Sequence, residues 1–353
     1  MSTISRKSNI ELLRLVLMLL VVLLHFNHDT MGGAFVFARN YPVDNFVLHF
    51  LESLGVCAVN CFMIVSGYFL FTNTKINFGK VADILLIVIF YRVLDYSMQV
   101  VFGGEPFALK GLVACFLPAN YFAIFYVICY MLSPVIARIW NEMESRLANF
   151  LIILLLAIFI VIPTCLDLIV DLHILNNADA LSPVATMGNG GGYTIVQFLV
   201  MLSLGMWLRK SQLTVPTWIL LCMYLISSLI MTIFIAKLPS LYNYCSIFTV
   251  ITAVCLFLLF CKLDFQNTAI NYCAKSCFAI FCIHTGAFAN ALWHKIITEE
   301  HFANGALQTL IWMFVCVGVM FLCCMALSIV MRVMFGKLKD RICNFLPIFK
   351  SEL

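Results

Sequence analysis

The chain has 353 residues, 63% of them hydrophobic and 11% charged, with a formal charge of only +4 and a mean hydropathy of +1.04. That composition excludes a soluble globular enzyme and gives no basic surface for nucleic acid; it describes an all-α, polytopic integral membrane protein. No stretch is polar enough to form a soluble domain, so residues 1–353 read as one integral-membrane domain.

Apolar runs of about twenty residues, the length that crosses a bilayer, fall near 11–27, 46–71, 82–103, 121–140 and 147–166. The second half gives 193–208, 216–236, 243–261, 272–293 and 307–334. These predict about ten transmembrane helices, the sixth short, with Phe107 to Leu117 as a re-entrant or interfacial piece. No A-x-A-like cleavage site follows the first run, which points to a retained span and not a signal peptide. Ten spans make the loops alternate sides, and with a cytosolic N-terminus fifteen Lys and Arg fall inside against four outside, Arg39, Lys110, Lys237 and Lys295. Arg14 and Arg92 lie within spans. The positive-inside rule therefore predicts that both termini are cytosolic.

The first span, Ile10 to Asp29, carries an arginine and a histidine in an otherwise lipid-soluble helix. Arg14 and His25 are eleven positions apart, which at 3.6 residues per turn returns to nearly the same azimuth, about 16 Å along the axis. Each alone has an ordinary explanation, a snorkelling anchor for the arginine and a packed polar group for the histidine. On one face they become a candidate intramembrane site. Glu11 precedes Arg14 by three positions and Asp29 follows His25 by four, so each is placed for a helical neighbour, and Asp29 or His28 is a candidate to orient the imidazole.

Further motifs extend this pattern. The lead-in I-E-x-L-R at Ile10 to Arg14, with ten residues between Arg14 and His25, is followed by N-C-F-M-I-V-S-G-Y-F-L-F at Asn60 to Phe71 and Y-F-A-I-F-Y-V-I-C-Y-M-L-S-P at Tyr121 to Pro134. Gly192-Tyr193 opens a short helix closing at Gly205, and S-C-F-A-I-F-C-I-H occupies Ser276 to His284. Together these segments resemble the membrane-bound acyltransferase-3 family, which moves acyl groups onto sugars of bacterial surface glycans. Tyr121 stands where tryptophan is common in relatives. The resemblance runs through most of the chain.

That resemblance implies an O-acyltransferase, an O-acetyltransferase foremost, multi-pass in the bacterial inner membrane. It would move an acyl group from cytosolic acyl-CoA, above all acetyl-CoA, to a sugar hydroxyl of a cell-surface polysaccharide or its lipid-linked precursor. Acyl-CoA would be a co-substrate, with no cofactor permanently bound. Arg14 would meet the CoA phosphates, since a guanidinium keeps its charge and presents forked donors. Lys75 and Lys80 would join it at the cytosolic mouth of the third span, where relatives carry more basic residues and this chain has Asp83. His25, whose ordinary pKa is about 6.5, would be the general base on the acceptor hydroxyl or an acyl-accepting nucleophile, the former preferred. Ser66 and Tyr68 would line the acyl tunnel, although Gly67 between them is explained by close helix packing.

His284 falls mid-span in the ninth helix, where an imidazole is costly unless paired or hydrated, which predicts a position facing a cavity. Arg92 and Asp95 are spaced to neutralise one another at i and i+3. Most of the sixteen cysteines lie in apolar runs and read as small packing residues, with no spacing that suggests a metal site. The acidic segment from Asp167 to Gly192, with G-N-G-G-G-Y at its end, reads as a lid, an acceptor-facing loop or a spacer. Phe335 to Phe349 reads as an interfacial tail drawn to anionic lipid. The competing reading is a non-enzymatic transporter or flippase of glycan intermediates. Against it stand the absence of an internal repeat and of paired Gly/Pro-broken spans in corresponding halves.

Overall fold

The computed structural model describes residues 7–176, 191–303 and 305–345, with side chains as far as Met334. Among the described residues there is no β-strand. The α-helices in chain order are α1 (Ser8–Asn27), α2 (Ala34–Ala38), α3 (Pro42–Gly55), α4 (Ala58–Leu70), α5 (Phe78–Phe102), α6 (Leu109–Cys115), α7 (Tyr121–Glu142) and α8 (Ser145–Leu156). There follow α9 (Ile162–Asp171), α10 (Ile195–Ser211), α11 (Thr217–Phe234), α12 (Ile247–Cys261), α13 (Thr268–Cys273), α14 (Cys277–His284), α15 (Ala287–Ile296) and α16 (Ala306–Phe345). With no water in the hydrocarbon layer to satisfy peptide groups, a helix is what such apolar runs must form.

The expectation of about ten spans meets eight or nine candidates. Among the described residues eight helical stretches are long and apolar enough to cross a membrane, and a ninth exists only as a bent pair. The run read as one helix over 272–293 breaks after His284, and α15 leaves at 77° to the helix before it. The run near 193–208 becomes α10, of only 17 residues. The Phe107–Leu117 piece is the short helix α6 and its flanks, with Phe107, Leu109, Val113, Phe116 and Leu117 all exposed.

The chain forms two compact units. The first comprises residues 1–13, 49–74 and 128–266. Its centre is the crossing of α4 and α10, which approach so closely that a Cβ on Gly67 would meet the backbone of Leu202 and one on Gly205 the backbone of Ile64. Small residues let backbones touch where lipid supplies no hydrophobic drive for association. Beside the crossing, the buried amides of Asn60 and Gln197 both donate to the carbonyl of Tyr244, each at 2.8 Å. Two acids of the segment read as a loop from Asp167 onward lie instead in α9 and hold neighbouring turns of this unit: Asp167 accepts from Asn243 at 3.0 Å, and Asp171 from the backbone and hydroxyl of Ser240. Gly191 and Gly192 have positive φ, and side chains there would strike Asn243 and Cys245. That end of the segment is a fitted anchor, while Asp179 and Gly188–Gly190 lie outside the described residues.

The second unit comprises residues 14–48, 75–127 and 267–353. In it α14 packs against α5 and α16, and α15 against α5. Phe26 meets Trp293 edge-on at 5.7 Å, and Phe281 meets both Phe122 and His284. The described cysteines of both units are free thiols. The backbone of α16 runs on as helix to Phe345, which gives the first part of the Phe335–Phe349 tail a helical form; the remainder lies outside the described residues.

Candidate functional site

The site grows from the last turn of α1. Between Arg14 and His25 the same face carries Met18 and Val21, both buried, so this stripe of the helix is turned into protein. His25 is half-buried, and its Nδ1 lies 2.7 Å from Nε2 of His284. The two rings are 4.8 Å apart at 35°. His284 is the last residue of α14 and is fully buried, so it does not face a cavity as its sequence position suggested; the pairing with His25 is what makes a buried imidazole tolerable.

Hydrogen-bond chemistry assigns the protons of this pair. Nδ1 of His284 is 2.6 Å from the carbonyl oxygen of Ile280, one turn earlier. A carbonyl can only accept, so Nδ1 of His284 carries the hydrogen, and Nε2 of a neutral ring is then a lone pair. His25 must therefore donate its Nδ1–H to that lone pair. Its own Nε2 is left unprotonated, the basic nitrogen of the pair.

The break after His284 is built by α5. Half-buried Asp95 accepts from the backbone amides of Ala287 at 3.1 Å and Phe288 at 3.0 Å, and from the side-chain amide of Gln99 at 2.7 Å. These are first-turn amides of α15, which have no partner within their own helix and favour a negative charge. A Cβ at Gly286 would strike the Asp95 carboxylate, so the close approach needs glycine.

Arg92 does not pair with Asp95, against the i, i+3 expectation. Its guanidinium donates instead to the carbonyls of Ala114 and Ala119, each at 3.2 Å. The first of these belongs to the last turn of α6, where orphan carbonyls attract a cation. Arg92 and Asp95 thus each serve a helix end of complementary sign instead of pairing with one another. Arg92 in this role is a structural tie.

The remaining expected residues separate into groups. Asp29 is ion-paired with Arg39, and Nδ1 of His28 accepts from the backbone and hydroxyl of Thr30; neither orients His25. Lys75 and Lys80 are exposed at the start of α5, where Asn77 caps the helix by accepting from the Lys80 amide. Arg14, Lys75 and Lys80 belong to the same unit as the histidine pair. Glu11, Ser66 and Tyr68 belong to the other. Glu11 is buried near the start of α1. Ser66 spends its hydroxyl on the carbonyl of Phe62, within α4. Tyr68 accepts from Arg209 at 3.0 Å, and the guanidinium of Arg209 also lies over the Tyr68 ring. Asp95 and the partnership of His284 are what the sequence reading missed. Its signals were a carboxylate inside a span and the Thr285-Gly286 step in an apolar run.

A family model described as an acyltransferase domain matches residues 7–329. No curated protein matches the chain, and no solved structure does.

Proposed function

The chain belongs to this acyltransferase domain family, and from that premise we propose that it is a membrane O-acyltransferase using cytosolic acyl-CoA, acetyl-CoA foremost. Its acceptor is a sugar hydroxyl of a bacterial cell-surface polysaccharide or its lipid-linked precursor, and it works in the inner membrane. The observation that carries this reading is the histidine pair, because acyl transfer to an alcohol requires a base where the hydroxyl meets the thioester, and Nε2 of His25 is free to be one.

In the proposed reaction the sugar oxygen attacks the thioester carbonyl as His25 Nε2 takes its proton, a general-base step. The new O–C bond forms, the C–S bond breaks, and the proton passes from His25 to the departing thiolate to give CoA-SH and the ester. During the step the imidazolium of His25 keeps its Nδ1–H on the lone pair of His284, which stabilises the developing positive charge. Arg14, about 16 Å away on the same helix face, is assigned to the CoA phosphates, with the pantetheine arm spanning the distance outward to His25. Lys75 and Lys80 add positive charge to that end, with both chain termini placed in the cytosol.

The test is transfer of label from acetyl-CoA to glycan in membranes holding the wild-type protein, His25→Ala or Arg14→Ala at equal abundance. The expected result is a loss of about 10²-fold or more for His25→Ala, the scale of general-base catalysis, and a raised KM for acetyl-CoA in Arg14→Ala. Unchanged transfer in both variants overturns the assignment.

A further inference from the structure

Arg332 carries an unmet demand. It lies in α16 toward the end of its apolar stretch, with its guanidinium carbon 4.5 Å from the centroid of the Tyr272 ring. Stacking on a ring occupies the flat face of the guanidinium and leaves its edge N–H groups to be satisfied elsewhere. Both terminal nitrogens, Nη1 and Nη2, are buried and have no hydrogen-bond partner among the described residues. A desolvated cation with its donors unused is among the costlier arrangements a protein can hold, and it points to an acceptor that arrives from outside the chain.

The surroundings identify that acceptor. Tyr91 of α5 lies against Ser328 and within electrostatic reach of Arg332, and Tyr91 also lines a half-open cavity of about 140 Å³ between α5, α14–α15 and α16. The cavity passes from Met98 and Met320 to Tyr91 and Leu327; Asp95 also lines it, with its carboxylate taken up by the amides of Ala287, Phe288 and Gln99, and the rest of the wall is apolar, with Leu94, Ile283 and Leu292 among it. Leu327 is five residues before Arg332, about 7.5 Å along the helix, and Met320 is about 18 Å from it. An apolar groove parallel to a membrane helix with an unpaired cation beyond one end matches one alkyl chain and its anionic head. Lys337, Lys339 and Arg341 follow in sequence and would draw anionic lipid to that end of α16.

We propose that the groove between α5, α14–α15 and α16 binds an anionic phospholipid, with one acyl chain in the groove and its phosphate accepting from Nη1 and Nη2 of Arg332. A zwitterionic lipid suits the site less, since its head brings a second cation to a place where, among the described residues, no carboxylate is paired with Arg332. Because the groove includes Ile283 and Phe288, on either side of the break that carries His284, lipid occupancy also braces the bent span.

Native mass spectrometry of the full chain, released from detergent with equal amounts of phosphatidylglycerol and phosphatidylcholine, tests this. Wild type should retain phosphatidylglycerol in preference, and Arg332→Gln, which keeps donors but loses the charge, should retain it about tenfold more weakly, the loss of one charge-assisted contact. Arg332→Lys should keep most of the preference. Ala289→Trp, which fills the groove and leaves Arg332 in place, should lose retention as well; monodisperse elution of each variant establishes that it is folded. Equal retention by Arg332→Gln, or by Ala289→Trp, overturns the proposal. So does displacement of the lipid by millimolar inorganic phosphate, which would make the site one for a small anion. The readout is lipid retention, so acyl transfer can fail its own test without affecting this one.

Discussion

His284 has no nitrogen left for a substrate, since Nδ1 is engaged by Ile280 and Nε2 by His25. Its part in the proposed reaction is to fix the tautomer and rotation of His25, so it is a positioning residue. His284→Ala should lower kcat by about 10²-fold, toward the low end of what a positioned base contributes, with KM for acyl-CoA little changed. His284→Gln, whose amide oxygen can accept from His25 Nδ1–H, should recover part of the lost kcat. A fall in both parameters together, with no recovery by Gln, would mean that the residue supports folding alone. His25 was legible in the sequence because an imidazole near the end of an apolar helix is conspicuous. His284 was legible too, as a mid-span imidazole in need of a partner, but its pairing with His25 was not, because 259 positions separate the two and no helical periodicity relates residues on different elements.

At the scale of elements, charges and glycines act on helix ends and crossings. Arg92 and Asp95 look like a local ion pair under the i, i+3 rule, yet each goes to a helix end of complementary sign, Asp95 to first-turn amides of α15 that have no partner in their own helix and Arg92 to carbonyls at and beyond the end of α6. Asp95→Ala should therefore cost about 1–2 kcal/mol, the range for loss of an N-terminal cap, and Asp95→Asn less, both read from thermal unfolding in detergent. Acyl transfer should fall with the Ala variant because the break holding His284 loosens. The glycines divide just as sharply. Gly67→Ala drives a methyl into the Leu202 backbone and should cost about 1–3 kcal/mol, as overpacking does. Gly318→Ala meets nothing and should stabilise α16 by up to about 1 kcal/mol through helix propensity. The S-G-Y motif already marked Gly67 as a packing position; only the fold shows which backbone it lies against.

At the scale of the whole molecule, α10 meets the bilayer on different terms from the other apolar runs. Nine of the ten apolar runs read from the sequence appear as eight helical stretches long enough to cross and one bent pair, and hydropathy found them because length and apolarity are what lipid demands. It missed the bend, since a run stays apolar whether or not it changes direction. The tenth, α10, has 17 residues and is about 25 Å long at 1.5 Å per residue, short of the roughly 30 Å hydrocarbon layer. Most of its length is buried, from Gln197 and Phe198 through Met206 and Leu208. A helix sheathed by protein need not match the lipid, because mismatch is charged only where lipid touches the surface. We expect α10 to cross, giving ten crossings and both termini in the cytosol, in line with the weighting of Lys and Arg on alternate loops. Reporter fusions decide this. A cytosol-active reporter should work at either terminus, and one active only on the outer side should work after Lys237, in the loop between α11 and α12. If α10 fails to cross, the alternation shifts by one from there on: the C-terminal fusion becomes active outside and the Lys237 fusion inside. Arg332 and the basic stretch after it would then face the outer leaflet, against the positive-inside rule.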